Sequence, residues 1–337
     1  MKHAPRLKEL ASRLLETQRL VLTTHSGPDG DGIGSTLALA RALQERGRDV
    51  TCLLPEPLPE RYRFLDPEGL IRDPGEIMEA AGDATWDLAL VLDTNQWDMI
   101  GPVGQWLRPR VAHAVYLDHH PLNGTLRPEV FGDPDAASTG ELIYRLLHHN
   151  LGWVLSHRVA ESLYVSISFD TNSFKHIRSN PASLLIAADL VTRGVDTNWV
   201  YRHLFASNSP SKARLLGWVL SSMRFECDGR LAYVMIPFRL IGELGLNRDE
   251  MRDCIQHILE IRGVEVAATL KEMEPGEVKI SLRSKGACAI NSTACDLGGG
   301  GHPLAAGCDL RGTCEDAWER LRPGLVRAIE ACPAKSE

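Results

Sequence analysis

Four short stretches of the chain concentrate side chains able to hold a metal ion. The first, His25-Ser-Gly-Pro-Asp29-Gly-Asp31-Gly-Ile-Gly34-Ser35, offers an imidazole and two carboxylates in close succession. The second and third end apolar runs: Leu90-Val-Leu-Asp93-Thr-Asn95 and Tyr116-Leu-Asp118-His119-His120-Pro121. The fourth is Ser168-Phe-Asp170-Thr-Asn-Ser-Phe174. Mixed imidazole and carboxylate ligands suit a borderline divalent ion such as Mn²⁺ better than a thiolate site would. Two such ions, ~3.5–4 Å apart and bridged by carboxylates, would generate hydroxide from water and clamp the oxygens of a phosphoryl group. Each stretch alone has a plainer reading. Asp and Gly are common turn residues, so the first could be an acidic turn capping a helix. Asp93 alone could cap the next helix, and Asp170 could be a solvated helix end. Three strands ending in Asp or His at one edge favour the metal reading, because a parallel sheet brings those ends together.

The elements that must position these residues follow from hydrophobic pattern. Apolar strands are expected at 19–24, 49–54, 87–92 and 112–117, with helices at the N-terminus, at 35–45 (stopped by Gly47) and near Ala80. Strands alternating with helices indicate a parallel sheet covered on both faces, and open α/β sheets bind ligands at the carboxyl ends of their strands. From Thr139 the pattern is helical, at 140–149, 158–169 and 181–192, where Asn180-Pro181 marks a helix start. The stretch 200–223 reads as a connecting helical segment. Strands at 231–236, 264–272 and 278–283 follow, with helices at 249–261 and 313–331. The expected class is α/β, with domains at 1–205 and 226–337 joined by a helical linker at 206–225. The glycines fit neither G-x-G-x-x-G nor G-x-x-x-x-G-K-[ST], so dinucleotide and P-loop sites are disfavoured. Ser209-Pro-Ser-Lys212 fits S-x-x-K, but nothing else of an acyl-transfer site accompanies it and it reads as a helix start.

The chain has 337 residues, enough for two domains, and a net charge of −7. That balance argues against coating long nucleic acid, which needs many phosphates neutralised by Lys and Arg. It leaves room for a small anion in a local pocket. The eight cysteines include no C-x-x-C pair, which disfavours a zinc ribbon or adjacent redox dithiol and suits reduced cytosolic thiols. The charged, amphipathic N-terminus lacks a signal peptide's apolar core, and no apolar stretch approaches the ~20 residues that span a bilayer. A soluble cytoplasmic protein is expected.

The ordered set His25-x-x-x-Asp29-x-Asp31, Asp93, Asp118-His119-His120 and Asp170 resembles the four motifs of DHH phosphoesterases. The run Gly298-Gly-Gly-Gly301-His302-Pro-Leu-Ala-Ala-Gly307 resembles the signature of their DHHA1 domain. Within that family the short layout is similar to nanoRNase and pAp phosphatase enzymes, without the extra domains of RecJ-type exonucleases. Asp170-Thr-Asn-Ser-Phe and Arg178-Ser-Asn180 resemble the matching stretch of those short members, with Asn172 standing where glycine is usual.

The resemblance implies a parallel-sheet DHH domain with flanking helices and a smaller α/β DHHA1 domain, with the active site in the cleft between them. It implies two Mn²⁺ ions, with Mg²⁺ as a substitute. His25 and Asp29 would hold one, Asp31 and His119 the other, with Asp93 and Asp170 between them. Asp118 would orient a histidine, and His120 would face the substrate phosphate, making His120, Asp93 and Asp170 the catalytic set. The substrate handle would comprise Arg283, Ser284, Gly299, Gly300, Gly301 and His302. Arg283 offers a planar fork for phosphate, and glycine N–H groups form a nest for an anion. The implied reaction is hydrolysis of short RNA or DNA oligonucleotides to mononucleotides, with removal of the 3′-phosphate from adenosine 3′,5′-bisphosphate. Cleavage of linear or cyclic dinucleotide messengers is the alternative enzyme reading. A non-catalytic nucleotide sensor is the alternative of another class, and the full ligand set speaks against it. A processive exonuclease would want a basic and aromatic track that this composition does not suggest. A homodimer is compatible with the sequence, though no heptad marks one.

Overall fold

The computed structural model describes residues 4–121, 129–177, 181–246, 250–251 and 254–332. The chain forms two compact units, Met1–Ser207 and Asn208–Glu337. In the first, β1 (Arg19–Thr24), β2 (Asp49–Cys52), β3 (Trp86–Leu92), β4 (Val111–Asp118) and β5 (Val130–Gly132) make one sheet, ordered β2-β1-β3-β4-β5. Every pairing in it is parallel. The helices are α1 (Ala4–Glu16), α2 (Gly30–Gln44), α3 (Pro74–Ala81), α4 (Gly101–Leu107), α5 (Thr139–Tyr144), α6 (His157–Asp170), α7 (Ala182–Thr192) and α8 (Thr197–Leu204). Side chains alternate across a strand, so each strand feeds two cores. Leu20, Leu22, Leu88, Leu90 and Leu92 pack with residues of α1, α2, α5 and α6. Val21, Ala89 and Val91 pack with Ile77 of α3 and Val103 and Leu107 of α4.

Helix α2 begins at Gly30, five residues before the expected start, because Asp29 caps it. The Asp29 carboxylate accepts the N–H groups of Asp31 at 3.0 Å and Gly32 at 3.3 Å. The glycines of this segment therefore serve close packing rather than a loose turn. A Cβ on Gly30 would lie 2.5 Å from the Phe169 ring and one on Gly34 2.7 Å from Ser162 O, while Gly32 abuts the Thr24 hydroxyl. These bare positions let α2 press against β1 and α6.

Other expected boundaries shift for identifiable reasons. The helix at 140–149 is α5 followed by a wider π-type segment, Arg145–Asn150. Pro181 occupies the N-cap of α7. The expected segment 200–223 is two helices: α8, and α9 (Pro210–Ser222), which opens on the Ser209 cap and packs Leu215 and Val219 into the second unit's core.

The second unit holds a mixed sheet, β10-β11-β9-β8-β7-β6. Its strands are β6 (Arg224–Glu226), β7 (Leu231–Ile236), β8 (Val266–Glu274), β9 (Glu277–Ser284), β10 (Gly300–His302) and β11 (Ala305–Arg311). Only the β7–β8 pairing is parallel. Helices α10 (Phe238–Leu244) and α11 (Cys254–Leu259) pack with α9, whereas α12 (Asn291–Asp296) and α13 (Cys314–Glu330) belong to the core that includes Tyr233, Leu282 and Trp318. The helix expected at 249–261 is described only as α11; residues 249, 252 and 253 lie outside the described residues. The strands β5, β6, β10 and β11 were not expected, being short or glycine-rich. Among the described residues no helix is long and apolar enough to cross a membrane.

Candidate metal centre

The three neighbouring strands β1, β3 and β4 run directly into the first three chemical stretches. His25 follows Thr24, Asp93 follows Leu92, and Asp118 closes β4 ahead of His119 and His120. Asp31 comes from the first turn of α2 and Asp170 from the last residue of α6. Three ligand sets therefore have their donor atoms within 4.8 Å of one another: His25–Asp29–Asp93, Asp31–His119–Asp170 and Asp93–His119–His120. Asp93 reaches both sides of the cluster. Its Oδ2 lies 3.5 Å from His25 Nε2, and its Oδ1 lies 3.6 Å from His119 Nε2. Asp170 approaches His119 at 2.9 Å and, among the described residues, groups with Asp31 and His119.

Asp93 sits at φ 62°, in the left-handed region that Asp tolerates better than most residues. Its N–H donates to Leu117 O at 3.0 Å, which holds the strained residue against the neighbouring strand. Strain of this kind concentrates at functional sites.

The carboxylates are held by groups that sequence reading did not assign. Asp31 accepts Thr139 N–H at 2.7 Å, Gly140 N–H at 3.1 Å, the Ser35 hydroxyl at 3.3 Å and the Ser166 hydroxyl. The Thr139 hydroxyl donates to Asp93 Oδ1 at 3.1 Å. Asp118 takes the amide of buried Asn95 at 2.7 Å, His120 N–H at 3.1 Å and His120 Nδ1 at 2.7 Å. The histidine that Asp118 orients is thus His120. A signal for Ser166 was available: Ser162, Ser166 and Asp170 recur every fourth residue in α6, a polar row on a buried helix. Asn95 sat in the second motif, two residues from Asp93. Thr139 and Gly140 carried no such mark.

The cluster's electrostatics call for positive charge. Burial and the carboxylates of Asp31, Asp29 and Asp170 push Asp93 well above the ordinary carboxylate range. Burial pushes Asp29 and Asp31 up as well, Asp31 further by Asp170. Burial disfavours a charged His119, yet the adjoining Asp170 and Asp31 outweigh it and push the imidazole up to about 9. Asp118 is opposite in sign: burial raises it, but the bonds from His120 hold it below the usual range. The His119 Nε2 atom is the test of fit for a cation. It is buried, faces Asp170, Asp93 and Asp31 at 2.9, 3.6 and 3.7 Å, and has no well-aligned hydrogen bond to any of them. Three carboxylates around an imidazole nitrogen in that manner fit a divalent ion held by hard oxygen and nitrogen donors.

Residues 19–167 match the DHH family, N-terminal domain, and residues 228–331 match the DHHA1 domain. Over 92% of this chain and 91% of the relative, it is 31% identical to the bifunctional oligoribonuclease and PAP phosphatase NrnA of Thermus thermophilus. This chain belongs to the DHH/DHHA1 family. As a DHH/DHHA1 protein of the NrnA-like group it is a phosphoester hydrolase. The cyclic-di-AMP phosphodiesterase GdpP of Bacillus subtilis is 24% identical over 96% of this chain, which spans 49% of that protein. An exopolyphosphatase-related protein from Bacteroides fragilis shares the fold, with a TM-score of 0.89, 26% identity and 96% of each chain covered. The DHH match ends three residues before Asp170, so that carboxylate is placed by the geometry of α6 alone.

Within the DHHA1 unit the expected substrate-handle residues gather at one end of the sheet. Register puts Arg283 opposite Ala305, and Ala305 opposite His302, so the three form a row across β9, β11 and β10. Residues directly opposite point to the same face, which sets Arg283 and His302 about 10 Å apart along that row. Ser284 N–H donates to Leu304 O at 2.9 Å, tying Ser284 to the same hairpin. The glycines differ in purpose. A Cβ on Gly301 would come within 2.5 Å of Ala305 O, and one on Gly299 would strike Gly307 and Cys308. Gly300 has nothing within 4 Å of a Cβ and is exposed, so packing does not require its lack of a side chain.

Proposed function

We propose that this chain is a manganese-dependent phosphoesterase that hydrolyses short oligonucleotides to mononucleotides and removes the 3′-phosphate from adenosine 3′,5′-bisphosphate. The observation that carries the reading is the convergence of His25, Asp29, Asp31, Asp93, His119 and Asp170 at one sheet edge. The likeness to NrnA over nearly the whole chain supports the substrate class.

In this reading His25 and Asp29 would hold one cation and Asp31, His119 and Asp170 the other, with Asp93 available to either. When bound, such cations would acidify a water at neutral pH and offset the charge of the phosphoryl oxygens. Ser166, Ser35 and the N–H groups of Thr139 and Gly140 fix Asp31, so its carboxylate need not reorganise during the reaction. Asp118 holds His120 through Nδ1, and the imidazole so oriented would face the scissile phosphate and protonate the departing oxygen. Arg283, Ser284, the N–H groups of Gly299, Gly300 and Gly301, and His302 bind the end of the substrate remote from the scissile bond. Their reach sets substrate length.

Cleavage of a cyclic dinucleotide is the second reading, favoured by the likeness to GdpP. A product time course with Mn²⁺ separates the two, using a dinucleotide, a longer oligomer, adenosine 3′,5′-bisphosphate and cyclic di-AMP. We expect the dinucleotide and the bisphosphate to turn over fastest. Exclusive turnover of cyclic di-AMP would favour the second reading, and exclusive turnover of the long oligomer would overturn both. In the same assay Asp93→Ala should abolish Mn²⁺-dependent turnover while circular dichroism stays native.

A further inference from the structure

All eight cysteines are free thiols, and two that are distant in sequence share one polar pocket of the DHHA1 unit. Cys288 is buried, and its thiol donates to Glu265 Oε2 at 3.5 Å. Arg230 Nη2 donates to that same oxygen at 3.0 Å and to the backbone carbonyl of Cys332 at 3.0 Å. The Cys332 thiol in turn donates to the carbonyl of Ala287, the residue before Cys288, at 3.0 Å. These four hydrogen bonds tie Cys332 by its thiol to the residue before Cys288, and by its carbonyl through Arg230 to the carboxylate that accepts from the Cys288 thiol. The catalytic reading uses none of these groups.

We propose that Cys288 and Cys332 are an oxidisable pair that closes to an intramolecular disulfide when the protein meets a peroxide, with Glu265 accepting the proton from Cys288. The order of events follows from access. Burial, the Cys332 thiol and Glu265 push Cys288 up to about 12, so it stays protonated, whereas Cys332 is half-buried and reachable. A peroxide meets the reachable thiol before the buried one, so Cys332 reacts first. Its sulfur attacks one peroxide oxygen and the O–O bond breaks. Sulfur is oxidised to the sulfenic acid, and the other oxygen leaves as hydroxide, which takes up a proton to become water. Cys288 then attacks the Cys332 sulfur. The S–S bond forms as the S–O bond breaks, and the Cys288 proton passes to Glu265 and on to the departing hydroxide. In sum, two thiols and one peroxide give one disulfide and two waters.

The bridge fastens the loop between β9 and α12 to the end of the last helix. That loop continues directly from Arg283 and Ser284, so oxidation stiffens the base of the proposed substrate handle. A reducing compartment keeps the pair open.

The test treats the full chain with hydrogen peroxide, blocks remaining thiols with iodoacetamide, and maps the tryptic peptides by mass spectrometry. The expected result is loss of two hydrogens from the intact mass, a linked peptide joining Cys288 to Cys332, and reversal by dithiothreitol. Cys288→Ser should stop at a Cys332 sulfenic acid that dimedone traps, and Cys332→Ser should abolish the mass loss. Glu265→Gln should close severalfold more slowly and accumulate the same trapped species. Linkage of Cys332 to Cys227 or Cys295 would overturn the pairing, as would oxidation of other cysteines with this pair still reduced. Closure of Glu265→Gln at the unaltered rate would overturn the proton role. The wild-type peptide map decides the pairing even where a variant fails to fold.

Discussion

Asn95 illustrates how much of the metal centre depends on residues that bind no ion. It is buried, and its amide is the partner of Asp118 Oδ2. Asn95→Ala would leave that oxygen unsatisfied, at a cost of about 1–3 kcal/mol. The expected result in urea unfolding is a midpoint lowered accordingly. In the proposed function kcat should fall more than KM rises in steady-state kinetics, because His120 loses its fixed orientation rather than the substrate its handle. Asn172 makes a backbone argument at the same scale. Its φ of 47°, with Ser173 and Phe174 also positive, explains why glycine is usual there and why asparagine is the tolerated replacement. Asn172→Gly should leave the melting temperature within a few degrees of wild type. Asn172→Val should cost about 1–2 kcal/mol, since a β-branched residue resists the left-handed region. Calorimetry of the two variants checks both.

Elements show where glycine means packing and where it means access. Read alone, the α2 glycines fit an acidic turn capping a helix, but they lie in a buried helix pressed on α6 and β1. Gly34→Ala should destabilise the first unit by about 1–3 kcal/mol, because its Cβ meets the fixed carbonyl of Ser162. Divalent-ion affinity should fall with it, since α2 carries Asp31 and α6 carries Asp170. Gly300→Ala should leave stability unchanged, and in the proposed function it should raise KM for short oligonucleotides. Thermal melts paired with kinetics on the two variants separate these roles; an unchanged KM in Gly300→Ala would remove Gly300 from the handle. Strand periodicity made β1, β3, β4 and β7 legible from sequence, because apolar runs of that length bury both faces. The edge strands β5, β6 and β10 were not legible: they are three residues each, and their pairing is decided by a partner strand rather than by their own composition.

For the whole molecule, the buried acidic cluster couples stability to pH and to metal. A histidine raised from 6.5 to about 9 contributes stability that is complete below 6.5 and lost as pH rises through 9. Carboxyls raised by burial act in the same sense, since their ionisation at higher pH is opposed in the folded state. Metal-free protein should therefore melt progressively lower from pH 6.5 to pH 9. With Mn²⁺ the slope should flatten or reverse, because a cation replaces the protons and its ligands bind it deprotonated. Differential scanning calorimetry in EDTA and in Mn²⁺ gives the comparison, and parallel slopes would count against cation binding at this cluster.

The sequence by itself determined the fold class and which residue types stand at the strand ends, because burial periodicity and the order of motifs are local properties of the chain. It also singled out His25, Asp29, Asp31, Asp93, Asp118, His119, His120 and Asp170 as candidate site residues. Only the tertiary structure decided how those side chains share work. Asp29 caps α2 while joining the ligand set, Asp93 reaches both sides of the cluster, and Asp118 pairs with His120 and Asn95. It also brought together Cys288 and Cys332, which spacing had set apart. Such assignments depend on distances between residues remote in sequence, and those are fixed by how helices pack on sheets, not by the local pattern.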